Sequence, residues 1–162
     1  GSLYPWFTSV QNIAFADSSN DKVIDKANEK LAEFGVKKYA DYYPYQLSGG
    51  LKQLVSIARS TLNSDLLLFD EPFTALDYQN HLMVEQAFLK LKNGDNTAIM
   101  ISHDIESVVL LCDKIIVLSE KPTKIRAVLP VNLPSIRDKN TRFTPAFNLV
   151  LSQVYSLLGI GE

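Results

Sequence analysis

The chain has 162 residues, of which 46% are hydrophobic and 21% charged, and a formal net charge of −2; these are ordinary values for a globular protein. No cluster of lysine and arginine is present, so nucleic acid is not expected as a partner on electrostatic grounds. The single cysteine, Cys112, excludes an internal disulfide and fits a reducing compartment. No apolar run approaches the roughly 18–20 residues that span a bilayer, and no signal-peptide pattern is found in the first residues. Any membrane association is therefore expected to go through a partner.

Three helices are predicted in the first part of the chain, because apolar residues recur there at helical spacing. They cover approximately residues 8–16, 23–34 and 48–62. Thr8 is a suitable N-cap for the first helix, and Gly35 is a natural stop after the second. A polar break is predicted at 17–21. The aromatic stretch 39–46 is predicted to be a loop, since Pro44 disfavours helix at the residue before it.

The second part of the chain alternates strands and helices. Short apolar runs predict strands at 66–69, 97–101, 114–118 and 125–129. Helices are predicted at 78–92, at 105–111 and, after a loop over 130–144, close to the end of the chain. The first of these helices is expected to end at Asn93-Gly94. This alternation predicts an α/β fold with a mainly parallel sheet that is covered on both faces.

A serine and two glycines stand at the start of the third predicted helix, in the sequence Leu-Ser-Gly-Gly-Leu-Lys-Gln at 47–53. Phosphate binding needs free backbone N–H groups, close approach of the backbone and the positive end of a helix. A helix that is capped by Ser48 and begins with Gly49 and Gly50 supplies all three. Taken alone, these three residues are better explained as a plain serine-capped helix after a glycine turn.

Two acids follow the strand predicted at 66–69. Asp70 and Glu71 would lie at the carboxyl end of that strand, where open α/β sheets bind ligands. Asp70 would hold Mg²⁺ through water, and Glu71 would orient and polarise an attacking water. Solvated acids at a strand exit are the simpler alternative. His103 comes soon after the next strand, whereas His81 lies in a helix without such a context and is predicted to be at the surface.

Together these motifs resemble those of ABC-type ATPases. Leu47–Gln53 resembles the signature loop, Leu66–Pro72 the Walker B strand and Pro72–Asp77 the D-loop. The resemblance covers nearly the whole chain and implies a partial P-loop NTPase fold that lacks its N-terminal strands. It implies three parts: a helical subdomain at 3–64, the Walker B, D-loop and H-loop part of a RecA-like core at 65–129, and a C-terminal loop and helix at 130–162.

The resemblance also implies a role for each site residue, with ATP and Mg²⁺ as the ligands. Glu71 and the switch histidine His103 would be catalytic, and Asp70 would bind the metal. The signature residues would reach across a dimer to the γ-phosphate of a nucleotide held by the other subunit, while Asp77 would couple the two sites. The implied nucleotide-binding residues are Ser48, Gly49, Gly50, Gln53 and Asp77.

The opening residues Leu3–Thr8 and the tail Val117–Pro122 are similar to the nitrate/sulfonate/taurine branch of importer ATPases. Thiamine-precursor importers look similar, so the cargo stays open. The implied partners are a second ATPase subunit, giving a homodimer, and a membrane permease that contacts the helical subdomain. The implied location is the cytoplasm, at the inner face of the cell membrane.

No G-x-x-x-x-G-K-[ST] phosphate loop occurs in the sequence. The resemblance places this Walker A loop, the aromatic residue that stacks on adenine and the Q-loop glutamine before Leu3. The isolated chain is therefore expected neither to hold ATP well nor to hydrolyse it. A sheet without its neighbouring strand should also expose apolar surface and unpaired edges, so self-association is expected.

Three classes of function stay open at this point. The leading one is the ATPase subunit of a bacterial-type importer. A soluble ABC ATPase acting in DNA repair or translation would usually carry long coiled-coil or basic insertions, and the sequence has none. The third is a non-catalytic ABC ATPase fragment that acts at most as an interaction module.

Overall fold

The computed structural model describes residues 3–17, 21–92 and 97–160, which form two compact units. The first unit comprises 3–17, 21–87 and 97–101, and the second 88–92 and 102–160. Most of the polar break predicted at 17–21, and the helix end predicted at Asn93-Gly94, lie outside the described residues. The division into three parts stays a prediction, and its boundary at residue 64 falls inside the first unit.

The described residues contain α-helices, strands and short 3-10 helices. The helices and strands are α1 (Ser9–Ala14), α2 (Val23–Glu33), α3 (Gly49–Ser60), β1 (Leu66–Asp70), α4 (Tyr78–Lys92), β2 (Thr97–Ile101), α5 (Ile105–Leu111), β3 (Lys114–Leu118), β4 (Ile125–Pro130) and α6 (Pro145–Leu158). The 3-10 helices are Phe15–Asp17, Lys37–Tyr39, Pro44–Gln46 and Lys139–Phe143. The last two lie inside segments that the sequence predicts as loops. No described helix has the length and apolar character needed to cross a membrane.

Helices α1, α2 and α3 pack together in the first unit. Their contact is made by fully or almost fully buried apolar side chains, among them Ile13, Leu31, Leu54 and Ile57. The predicted capping residues have their expected roles. The Thr8 hydroxyl accepts from the N–H of Gln11 at the start of α1, and Gly35 takes a positive φ of 74° after α2.

The segment before α1 is held by the buried side chain of Asn12. Its Oδ1 accepts from the N–H of Tyr4 at 2.8 Å. Its Nδ2 donates to three backbone carbonyls, those of Tyr4, Phe7 and Thr8. One amide therefore satisfies four backbone groups and fixes the aromatic residues that open the described chain.

Strands β1 and β2 pair in parallel, as the alternation of strands and helices predicts, with Leu66 opposite Thr97 and Asp70 opposite Ile101. Leu67 and Phe69 are buried on one face. The other face carries exposed apolar side chains: Leu66 (51% exposed), Leu68 (70%), Ile99 (55%) and Ile101 (63%). The prediction that the sheet is covered on both faces is therefore wrong for this pair, because side chains alternate along each strand and nothing described covers the second face.

In the second unit, β3 and β4 pair antiparallel, with Lys114 opposite Pro130. This pair differs from the parallel arrangement predicted for most of the sheet. Residues 119–124 alone connect the two strands, which allows a hairpin but is too short for a parallel crossover. Helices α5 and α6 pack against each other, and α6 also contacts β3.

The end of α5 is closed by the guanidinium of Arg137, which is only 4% exposed. It donates to one carboxylate oxygen, Asp113 Oδ1 at 3.0 Å, and to three carbonyls, those of Leu110 (3.1 Å), Cys112 (2.7 Å) and Pro134 (2.9 Å). A cation at this place satisfies orphan carbonyls at the negative end of the helix. Burial lowers the pKa of Arg137 and raises that of the neighbouring Cys112 thiol, whereas Asp113 acts to raise the pKa of Arg137.

Candidate functional site

The site begins at the exposed start of α3. Gln46 turns the chain into the helix, because its side chain accepts from the N–H of Tyr43 at 2.8 Å. Ser48 is the N-cap residue, and its Oγ accepts from the N–H of Leu51 at 3.3 Å. Ser48 and Gly49 are exposed, so this end of the helix is accessible to an anion. Gln53 lies one helical turn after Gly49 and is half-buried.

Gly50 is buried where α3 meets the start of α4. A Cβ atom at Gly50 would lie 2.7 Å from the Cβ and Cγ atoms of Asn80. A Cβ at Gly49 would instead meet only Leu76 Cδ2, at an ordinary distance of 3.6 Å. The second glycine of the motif is therefore required for close packing within the first unit, and the first is not.

Asp77 caps α4 and is exposed. Its Oδ1 accepts from the N–H of Asn80 at 2.9 Å, its Oδ2 accepts from Asn80 Nδ2, and its carbonyl accepts from the N–H of His81. These hydrogen bonds, above all that from the Asn80 backbone, hold the pKa of Asp77 below its ordinary value of 3.8. The pKa of Asp77 is lower in the folded state than in the unfolded chain, so the ionised carboxylate stabilises the fold at pH values above 3.8. This stabilisation is lost as the pH falls through the lower pKa of the folded state.

Asn80 brings the two motifs together. Its Oδ1 lies 3.4 Å from Ser48 Oγ, while its amide group binds Asp77. Three of the predicted site residues, Ser48, Gly50 and Asp77, thus surround one side chain that the sequence-based prediction missed. The available signal was Asp77, a preferred N-cap residue directly before the predicted helix, which brings the residue three positions later close to its carboxylate.

Asp70 and Glu71 lie at the carboxyl end of β1, as expected. Asp70 is exposed and pairs in register with Ile101. The N–H of Glu71 donates to the Ile101 carbonyl at 2.8 Å, and Thr74 Oγ1 donates to Glu71 Oε2 at 3.4 Å. The backbone of Glu71 has a positive φ of 47°, which is unusual for a residue with a long side chain.

The acids at the end of β1 could supply only some of the ligands that a magnesium ion needs. The exposed Asp70 carboxylate is a hard oxygen ligand of the kind that Mg²⁺ prefers. Across residues 3–17, 21–92 and 97–160, no three His, Cys, Asp or Glu side chains gather to hold a metal. This arrangement suits an ion that keeps several waters and takes its other ligands from substrate phosphates.

The D-loop is held by a stacked pair of rings. The rings of Phe73 and His81 lie 4.7 Å apart and nearly parallel, and His81 Nε2 is 3.8 Å from the carboxylate of the fully buried Glu85. The His81 side chain is only 24% exposed. The prediction that His81 lies at the surface is therefore wrong, because Phe73 covers the face of α4 that carries His81.

His103 lies between β2 and α5 and is exposed. It belongs to the second unit. The next residue, Asp104, caps α5 by accepting from the N–H and the hydroxyl of Ser107. The chain therefore turns sharply into a helix directly after His103, and the catalytic role of this histidine stays a prediction.

Comparison with known proteins gives one consistent relationship. The ABC transporter family model matches residues 2–74. The aliphatic sulfonates import ATP-binding protein SsuB of Bacillus cereus is 37% identical over 142 residues, covering 86% of this chain and 57% of that protein. The nitrate import ATP-binding protein NrtD of Synechocystis is 35% identical over 169 residues, covering 97% and 64%. An uncharacterized ABC transporter ATP-binding protein of Methanocaldococcus jannaschii is 32% identical over 146 residues, covering 86% and 55%.

Solved structures give the same fold. A dimeric ATP-binding cassette in a post-hydrolysis state, bound to ADP and Pi, matches with a TM-score of 0.66 and 26% identity, covering 80% of this chain and 59% of that one. The chain thus spans between 55% and 64% of the length of the relatives described above. The predicted resemblance is confirmed: this chain is similar to the ATP-binding cassettes of ABC transporters over little more than half of their length.

Proposed function

We propose that this chain acts within the ATP-binding and ATP-hydrolysing subunit of an ABC importer that energises uptake of a small solute such as nitrate, sulfonate or taurine, and that the chain alone is inactive because its sequence carries no phosphate loop. The observation that carries the proposal is the cluster in which Ser48, Gly50 and Asp77 meet at the exposed start of α3. The relatives named for nitrate and sulfonate import support the choice of solute class.

The signature residues act on a nucleotide held by a second subunit. The start of α3 presents backbone N–H groups and the positive end of the helix, which stabilise the negative charge that develops on a terminal phosphate. The Ser48 hydroxyl adds one donor, and Gln53 stands one turn further along the helix. Asp77 lies beside this group and couples the two sites of the homodimer.

The residues at the end of β1 act on the attacking water. Asp70 would hold Mg²⁺ through water, and the ion, when bound, would supply neutralisation of phosphate charge. Glu71 orients and polarises the water, and its position is set by the hydrogen bond between its backbone and the last residue of β2. For His103, the proposed role is a contact to the γ-phosphate.

The partner in the membrane is a permease, which contacts the helical subdomain at 3–64. Two side chains of that part, Trp6 and Tyr45, are exposed large aromatics, of the kind that is enriched at protein interfaces. Through the permease the chain would lie in the cytoplasm, at the inner face of the cell membrane.

Calorimetry with Mg-ATP tests the proposal directly. Because the sequence carries no phosphate loop, the purified chain should give no stoichiometric heat. At millimolar nucleotide, weak shifts of amide NMR signals should appear at Ser48–Leu51, since that helix start is the phosphate-binding element. Ser48→Glu should abolish these shifts by placing a carboxylate over the helix end.

Two control variants sharpen this experiment. Ser64→Glu adds the same charge away from α3 and should leave the shifts unchanged. Glu71→Gln should also leave them unchanged, because Glu71 acts on water and not on the bound phosphate. Tight stoichiometric binding, or shifts that avoid the start of α3, would show that the phosphate-binding element lies elsewhere.

We further propose that the isolated chain self-associates through the exposed face of the β1–β2 sheet. Four apolar side chains share that face, and within the described residues each strand pairs on one side only. A second copy of the chain offers the matching apolar face and the complementary strand edge.

Sedimentation equilibrium should therefore show a concentration-dependent dimer. The double substitution Leu68→Glu and Ile99→Lys should shift the chain to monomer, because it places charges at the centre of the apolar face. Ile24→Lys, at an exposed isoleucine of α2, is the matched control and should leave the dimer intact. A wild-type chain that stays monomeric at high concentration would contradict the proposal.

A further inference from the structure

Asn80 is positioned between the two loops that the proposed function assigns to the dimer interface. It belongs to the first turn of α4, and its side chain contacts both the D-loop and the signature loop. We propose that Asn80 is a positioning residue whose side-chain amide transmits the state of Asp77 to the hydroxyl of Ser48. The proposal deepens the proposed function and depends on it for the meaning of this coupling.

The first step is the orientation of the Asn80 amide. Asp77 Oδ2 accepts a hydrogen bond from Asn80 Nδ2. An ionised carboxylate is an acceptor only, so it binds the NH₂ end of the amide and rejects the oxygen end. The backbone N–H of Asn80 also donates to this carboxylate, which holds the two groups in one geometry. Asp77 therefore determines that Asn80 Oδ1 points away from it.

The second step is the direction of the Ser48 hydroxyl. Asn80 Oδ1 lies 3.4 Å from Ser48 Oγ and is an acceptor only, so the single hydroxyl proton of Ser48 points towards it. A lone pair of Oγ then faces the N–H of Leu51 and accepts its hydrogen bond at 3.3 Å. The orientation of one amide thus determines both the proton direction and the capping bond of α3.

The close packing at Gly50 keeps this arrangement in place. The side chain of Asn80 fills the space that a Cβ at Gly50 would occupy, so the amide cannot swing away without opening a gap beneath α3. In the proposed function, a phosphate at Ser48 competes with Asn80 for the same hydroxyl proton. Phosphate contact at Ser48 would then loosen Asn80, and through it Asp77.

Hydrogen exchange at the Leu51 amide tests the proposal in the intact chain without nucleotide. Asn80→Ala removes both contacts and should raise the exchange rate of this amide about fivefold, the effect of losing one ordinary hydrogen bond. Asn80→Asp places two carboxylates together and should have a similar effect. Gln79→Ala, at the exposed neighbour in the same helical turn, should leave the rate unchanged.

The decisive variant swaps the hydrogen-bond donor and acceptor between positions 77 and 80. The double substitution Asp77→Asn and Asn80→Asp puts the donor at position 77 and the acceptor at position 80, so the pair is complementary again and an acceptor still faces Ser48. The hydrogen-exchange rate of the Leu51 amide should return to within about twofold of the wild-type rate. Such a recovery is a coupling between positions 77 and 80 of the size that double-mutant cycles detect. If Asn80 only filled space, Asn80→Asp alone would leave the exchange rate of the Leu51 amide unchanged. The double substitution would then not lower this rate.

The proposal is overturned if Asn80→Ala leaves the exchange rate of the Leu51 amide unchanged. It is also overturned if this amide exchanges as fast in the double variant as it does in Asn80→Asp. Should Asn80→Ala fail to fold, the comparison between Asn80→Asp and the swapped pair decides alone. Failure of the proposed function would instead appear in the Mg-ATP experiments, with the exchange results unaffected.

Discussion

Replacing Arg137 by methionine should lower the free energy of unfolding of the second unit by about 1–3 kcal/mol, the cost of leaving buried acceptors without their donor. Methionine fills much of the same space but donates no hydrogen bond. The buried carbonyl of Leu110 and the part-buried carbonyls of Cys112 and Pro134 would then lack this donor, and buried polar groups without partners are costly. Urea unfolding, followed by hydrogen exchange of the α5 and α6 amides, measures this loss.

Arg126→Met provides the matched control. Arg126 lies exposed on β4 of the same unit, so its replacement should change the free energy of unfolding by no more than about 0.5 kcal/mol. Asp113 keeps its ion pair with Lys92 when Arg137 is replaced, so the loss in Arg137→Met is assigned to the carbonyls. Equal stability of the two variants would show that Arg137 does not hold the end of α5.

Gly50→Ala should destabilise the first unit by about 1–3 kcal/mol, the usual cost of adding a methyl group to a tightly packed site. The new Cβ would lie 2.7 Å from the Cβ of Asn80, and that atom cannot move without the backbone of α4. The start of α3 would shift as well, so Gly50→Ala should also abolish any NMR response of Ser48–Leu51 to Mg-ATP. Thermal unfolding and the NMR titration provide the two measurements.

Gly49→Ala separates this packing effect from helix propensity. The two glycines are neighbours in the first turn of α3, but a Cβ at Gly49 meets only Leu76, at 3.6 Å. Gly49→Ala should therefore be neutral or stabilising by up to about 1 kcal/mol. In an Asn80→Gly background, Gly50→Ala should cost much less stability than it does in the wild-type chain, since the side chain that the new methyl group meets is then gone. If both alanine variants were equally destabilised, contact with Asn80 would not be the cause.

Local sequence signals predicted most of the elements correctly. The caps at Thr8 and Ser48 and the stop at Gly35 depend on residues adjacent in sequence, so the helix ends follow from capping chemistry alone. The start of α3 was predicted well for the same reason. The acids at the end of β1 were also placed correctly, because they directly follow a short apolar run.

Features that depend on distant contacts were not predictable in this way. The sequence of β1 is apolar from Leu66 to Phe69 and does not show which face of the strand is covered. The contact between Asn80 and Gly50 joins residues far apart in the chain, and the stacking of His81 on Phe73 depends on how the D-loop folds back over α4. Propensity and periodicity describe neighbours in sequence, whereas these features are set by tertiary packing.

The backbone of Glu71 has a consequence for engineering. A left-handed conformation costs a residue with a Cβ atom roughly 1–2 kcal/mol, and glycine adopts it without that cost. A redesign that optimised stability alone would therefore choose glycine at position 71 and delete the carboxylate on which hydrolysis is proposed to depend. At position 71, selection for stability would thus favour glycine, whereas selection for the proposed activity would keep glutamate.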